Sequence, residues 1–132
     1  AIAPDILWVE GNCDYGVGAL RPRFPGSPKY LLQEWEGLSV FLTHGHRYGP
    51  QNPPPRGTAE ILLPYAPLEA AEILLSGHTH VPAWGRVEDL FCANPGSVSL
   101  PRGRSDHSCL LYEDGIFRWM TLDGEEYHWE AL

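Results

Sequence analysis

Lysine is almost missing from this chain: Lys29 stands alone beside eight arginines, and Asp and Glu outnumber Lys and Arg 17 to 9. The formal charge of −8 leaves no basic stripe, which disfavours broad binding to a nucleic-acid backbone. No apolar run approaches the roughly 18 residues of a membrane helix, so no membrane span is expected. Cysteine is scarce too. Cys13, Cys92 and Cys109 are odd in number and widely spaced, which suits neither a disulfide framework nor a zinc ribbon and points to a reducing cytoplasm. The opening residues Ala1 to Asp5 offer neither a basic n-region nor an apolar h-region, so a secretory leader is not expected. What remains is ordinary for a globular protein: 43% hydrophobic and 20% charged residues in a chain of 132, enough for one domain with a real core.

Periodicity and turn residues divide the chain into short elements. Ile6-Leu7-Trp8-Val9 reads as a buried strand that delivers Asn12 at its end. Residues 15 to 28, rich in Gly and Pro, read as an irregular loop. Strands are expected at Tyr30 to Trp35 and Leu38 to Thr43, joined by a turn at Glu36-Gly37. Pro53-Pro54-Pro55 marks a loop or short polyproline segment. Thr58 is placed to cap a helix through about Leu63, with Pro64 and Pro67 breaking or restarting it. Ile73-Leu74-Leu75 reads as a further apolar strand. Beyond it come short strands at Ala83 to Glu88, Leu90 to Ala93, Ser108 to Tyr112, Ile116 to Leu122 and Tyr127 to Glu130. Turns are expected at Glu88-Asp89, Asp114-Gly115 and Asp123-Gly124, the last two being favourable hairpin pairs. This pattern indicates a layered α/β sandwich, α+β-like in character, rather than a simple doubly wound sheet.

Three of these strands end alike, in Gly11-Asn12-Cys13-Asp14, Thr43-His44-Gly45-His46 and Gly77-His78-Thr79-His80. Polar loops at the carboxyl ends of packed strands are where ligands gather. In an extended stretch, residues i and i+2 project to one side, so a His-x-His unit presents two imidazoles to one pocket or to two adjacent metals. Asn and neutral imidazole suit Mn, Fe, Co, Ni or Zn. His107 and His128 have no such context and read as surface or packing residues. Cys13 reads either as a small buried filler or as a catalytic neighbour, and Arg47 either as a solvated charge or as a phosphate contact.

With these blocks in view, the chain resembles the calcineurin-like metallophosphoesterase superfamily, in its branch of YfcE-type phosphodiesterases and Vps29-like proteins. Asn12-Cys13-Asp14 is similar to that family's Gly-Asn-His/Cys-Asp/Glu block, Thr43-His44-Gly45-His46 to its Thr-His-Gly-His block and Gly77-His78-Thr79-His80 to its Gly-His-Thr-His block. Asn94-Pro95-Gly96-Ser97 is similar to the signature of this branch. The order and spacing match over most of residues 6 to 122. The resemblance implies a four-layer metallophosphoesterase fold of mixed sheets flanked by helices, with Asn12, His44 and His78 holding one metal and His80 the other. Catalytic roles fall to Cys13, His44 and His78. Cys13 occupies the place of a His that helps to stabilise the transition state or protonate the leaving group. The residues Asn94 to Ser97 are expected to form a Gly-permitted turn beneath the His loop, more structural than catalytic.

The reaction so implied is hydrolysis of a phosphate ester, a diester first of all, by two divalent cations that lower the pKa of water and neutralise phosphoryl charge. Manganese is the first expectation for the metals, with Fe, Co, Ni or Zn as alternatives. The partner expected is a small phosphate-ester substrate, with no nucleic acid and no membrane; assembly into a homo-oligomer stays open. The family also opens with an Asp-x-His block and a Gly-Asp block, and this sequence carries neither. It is therefore expected to be a single domain, 1–132, truncated at its N-terminus by at least one strand–helix–strand unit of about 30 residues. One metal would keep three ligands and the other His80 alone, so the chain by itself is expected to be incomplete or inactive. The alternative is a non-catalytic Vps29-like scaffold or a module binding one metal. An exposed apolar patch without tight metal binding would favour the scaffold.

Overall fold

The computed structural model describes residues 6–9, 11, 28, 30–45, 71–87 and 89–132. The described residues form eight strands: β1 (Tyr30–Trp35), β2 (Leu38–Thr43), β3 (Ile73–Leu75), β4 (Pro82–Val87), β5 (Leu90–Pro95), β6 (Ser108–Glu113), β7 (Ile116–Thr121) and β8 (Glu126–Ala131). They form a five-stranded sheet in the order β1-β2-β3-β5-β4 and a three-stranded sheet in the order β6-β7-β8. The first sheet is mixed. Strands β2, β3 and β5 run parallel, while β1 and β4 flank them antiparallel. The second sheet is antiparallel throughout, with an irregular register between Trp119 and Met120.

The three parallel strands are apolar on both faces, as strands covered on both sides must be. Their period-2 alternation divides each strand between two clusters. Val40, Ile73, Leu75, Phe91 and Ala93 face the second sheet and pack with Phe117 and Trp119. Phe41, Leu74 and Cys92 form a separate buried cluster with Ala71 and Leu90. Register ties the rows together, pairing Phe41 with Leu74 and Leu74 with Cys92. Burial pushes the Cys92 thiol up to about 12, because the thiolate would lose its hydration in this apolar row. Proline at the start of β4 is tolerated because β4 is an edge strand.

Two expectations from sequence need correction or limiting. Residues Ile6 to Val9 are not a strand: they lack regular structure, and Ile6 and Leu7 are about half exposed. A short segment becomes a strand only when a neighbour accepts its backbone bonds, and no described strand pairs with it. The expected helix from Thr58 to Leu63 lies outside the described residues, and among the described residues there is no helix. The layers observed are therefore the two sheets. No described helix is long and apolar enough to cross a membrane.

Candidate functional site

Because β2, β3 and β5 are parallel, their carboxyl ends lie side by side, and three polar segments emerge together: His44-Gly45 after β2, Ser76 to His80 after β3 and Gly96-Ser97 after β5. This is the edge at which open parallel sheets bind ligands. The first two segments are in direct contact. Gly77 N–H donates to the His44 carbonyl at 2.7 Å, and the His44 and His78 rings meet edge to face with centroids 5.1 Å apart. Gly45 makes this approach feasible. It has φ +109°, and a Cβ there would lie 3.1 Å from Gly77 O and 3.4 Å from the His78 Cβ, tighter than ordinary packing permits.

The backbone at 78–80 is not the extended His-x-His unit expected from sequence. His78 has φ 70° and His80 φ 62°, so both occupy the left-handed region, and the segment is a bend. Residues with a Cβ pay about 1 kcal/mol or more for that conformation, which persists only where the surroundings hold it. Here they do. Thr79 N–H donates back to Gly77 O at 2.9 Å, and Arg102 N–H donates to His80 O at 2.9 Å. His80 Nδ1 lies 2.7 Å from Leu100 O. A carbonyl only accepts, so Nδ1 carries a proton, and in the neutral ring this leaves Nε2 as the nitrogen that can ligate a metal.

The loop from Gly96 to His107 is braced in the same manner. Ser97 Oγ accepts Leu100 N–H at 2.9 Å, and His107 Nδ1 donates to Val98 O at 2.6 Å. Gly96, with φ +84°, lies where a Cβ would collide with Ser108 Oγ and approach Pro82 Cγ to 2.9 Å. His107 thus anchors the loop from the surface. His128 is a packing residue, stacked on Trp84 with ring centroids 3.6 Å apart.

Of the residues assigned to the site from sequence, His44, His78 and His80 are described, and the fold brings the first two into contact. Asn12 and Cys13 lie outside the described residues, as do His46 and Arg47. Among the described residues, no group of three His, Cys, Asp or Glu side chains stands close enough to hold a metal ion. The donors present are imidazole nitrogens, one of them with its tautomer fixed, and such donors fit a divalent first-row cation. Asn94 and Leu100, which brace the histidine segment, were not assigned to the site from sequence. The Asn-Pro-Gly-Ser block marked a turn there, but nothing in it marked which atoms the turn would bond.

Comparison with known proteins identifies the family. The calcineurin-like phosphoesterase superfamily domain matches residues 1–114. The chain is 31% identical over 124 residues to phosphodiesterase YfcE of Escherichia coli K12, covering 94% of this chain and 61% of the relative. It is 38% identical over 127 residues to a protein named "Probable metallophosphoesterase" from Methanothermobacter thermautotrophicus, covering 94% and 60%. The chain therefore spans about three fifths of the length of these curated relatives. Among solved structures, the E. coli phosphoesterase YfcE superposes with a TM-score of 0.70 at 29% identity, over 93% of this chain and 62% of that one. A single mutant of Vps29 from Entamoeba histolytica gives a TM-score of 0.62 at 22% identity, over 94% and 67%, a likeness of fold. With four ordered sequence blocks and a shared fold behind it, this chain belongs to the calcineurin-like phosphoesterase superfamily.

Proposed function

We propose that the protein, in its native full-length form, is a metal-dependent phosphoesterase that hydrolyses phosphodiester bonds of a small substrate. The observation that carries this reading is the meeting of His44 and His78 at the ends of adjacent parallel strands, with His80 two residues on and its Nδ1 already engaged. Asn12, His44 and His78 would hold one cation and His80 would contribute to a second, with manganese the first choice. When bound, such a pair supplies Lewis acidity that lowers the pKa of water and offsets phosphoryl charge. The chain's own residues orient the site. The Leu100 carbonyl fixes the His80 tautomer, and the Gly45–Gly77 contact sets how closely His44 approaches His78. Cys13, beside Asn12 in sequence, would help to stabilise the transition state or protonate the leaving group.

The test is hydrolysis of bis(p-nitrophenyl) phosphate by the native gene product with added Mn²⁺, with and without chelator. Activity is expected to vanish with chelator, and His78→Ala, which removes a ligand itself, is expected to lower kcat/KM by more than the roughly 10–100-fold that loss of a ligand's outer partner costs. Hydrolysis indifferent to chelator would overturn the reading.

One observation favours a second reading, a non-catalytic interaction module. On the outer face of the second sheet, Leu111, Arg118 and Trp129 align in register, and Leu111 and Trp129 are both more than half exposed. An apolar pair of this kind suits a binding surface. Absence of hydrolysis with each of Mn, Fe, Co, Ni and Zn would favour this reading over the first.

A further inference from the structure

Asn94 lies near the end of β5 and is 4% exposed, yet every polar atom of its side chain is engaged. Its Nδ2 donates to Gly77 O at 2.9 Å and to Thr79 Oγ1 at 3.0 Å. Its Oδ1 accepts Gly96 N–H at 2.9 Å. The Gly77 carbonyl can only accept and the Gly96 amide can only donate, so the carboxamide has one orientation that satisfies both. Gly77 and Thr79 are the residues on either side of His78, and Thr79 also precedes His80. The two Nδ2 bonds thus grip the bend in which both histidines are left-handed. A buried, fully satisfied amide of this kind rigidifies what it holds.

We propose that Asn94 is a positioning residue for the candidate metal centre: its carboxamide fixes the left-handed backbone at His78 and His80, and so sets where the two imidazoles stand, without being a ligand itself. The positioning stands on the hydrogen bonds alone, while its purpose rests on the metal-dependent reading above. Aspartate at this position is nearly isosteric but has no N–H to donate, and it would set a carboxylate oxygen against the Gly77 carbonyl. Valine in place of Thr79 keeps the shape and removes one of the two acceptors, together with the longer bonds of the Thr79 hydroxyl to the Val81 N–H and carbonyl, each at 3.3 Å.

The experiment compares Asn94→Asp and Thr79→Val with the parent in the native gene product. Long-range ¹H–¹⁵N spectra of the metal-free proteins report the ring nitrogens of His78 and His80, and a titration with Mn²⁺ reports affinity. Ser108→Ala is the control, because Ser108 Oγ donates to Pro95 O at 2.7 Å in the same turn but touches neither Gly77 nor Thr79 through Asn94. In both test variants the His78 and His80 signals are expected to move, more in Asn94→Asp, and Mn²⁺ affinity is expected to fall about tenfold or more. The control is expected to lose thermal stability with its ring signals and affinity unchanged. A folded Asn94→Asp protein with parental ring signals and affinity would overturn the proposal, as would an equal disturbance in the control. Should Asn94→Asp fail to fold, Thr79→Val decides, since moved signals support the positioning and unmoved ones overturn it. A parent that takes up no Mn²⁺ while the variants still move the ring signals would sink the metal reading and leave the positioning in place.

Discussion

At the end of the sandwich away from the strand carboxyl termini, Glu36-Gly37 and Asp114-Gly115 each place two successive residues at positive φ. This is what a tight hairpin between right-twisted strands demands. The Glu36 carboxylate joins the two turns, accepting Asp114 N–H and Gly115 N–H at 3.2 Å each. At the opposite end, His78 and His80 also have positive φ, but no hairpin requires it, and the conformation is maintained by long-range bonds from Asn94, Leu100 and Arg102. The same backbone state is local chemistry at one end and imposed geometry at the other. Residues with a Cβ carry left-handed strain at both ends, but at the histidine end no hairpin holds it and the surroundings must, and strain of that kind gathers at functional sites.

The contrast is tested most severely by alanine at one glycine from each end. Gly96→Ala is expected to destabilise by about 3 kcal/mol, combining left-handed strain with overpacking against Ser108 and Pro82. Gly37→Ala, where a Cβ meets nothing within 4 Å, should cost only about 1 kcal/mol. Urea denaturation of both variants checks the difference, and equal losses would remove the distinction.

Between the two ends, Cys92 sets an alkaline limit. Its folded thiol is raised from 9.0 to about 12, so below pH 9 it is protonated in both states and contributes no pH dependence. From pH 9 towards 12 only the unfolded chain releases the proton, and stability should fall by about 1.4 kcal/mol per pH unit from this group. Cys92→Ala should flatten that slope in denaturation curves measured from pH 8 to 11.

His78→Gly should relieve left-handed strain and raise stability by about 1 kcal/mol, while Mn²⁺ binding by the native protein is lost. A destabilised glycine variant would show that the lost His44 contact and the freer unfolded chain outweigh the relieved strain. The smallest effect is expected at Glu36→Gln, about 0.5 kcal/mol, with parental Mn²⁺ affinity because the bridge it weakens lies at the far end.

Much of the fold was legible because its signals are local. Alternation and turn residues placed β1, β2 and β3 to the residue, and β6 to β8 to within one residue at each end. Strand β5 runs on through Asn94 and Pro95, which read as loop residues because their partners belong to β4, far from them in turn chemistry. Ile6 to Val9 was misread because apolar content does not reveal whether a pairing neighbour is present. In the site, His44 and His78 were legible as strand-end histidines, and the parallel pairing brings them together. The bend at 78–80 was not legible. Whether a His-x-His unit is extended or left-handed depends on acceptors and donors supplied from residues 94 to 102, and spacing carries no trace of them.

The backbone carbonyl of Asn94 adds a partner of its own: it accepts the indole N–H of Trp119 at 2.8 Å, across the gap between the sheets. Trp119 is fully buried and stands edge to face with Trp84 at 5.1 Å. Two indoles so close and so tilted are coupled oscillators in a chiral setting. The segment that braces the histidines is therefore wired to a built-in chromophore, and any event that shifts Asn94 should be written into the near-ultraviolet circular dichroism without a label being attached.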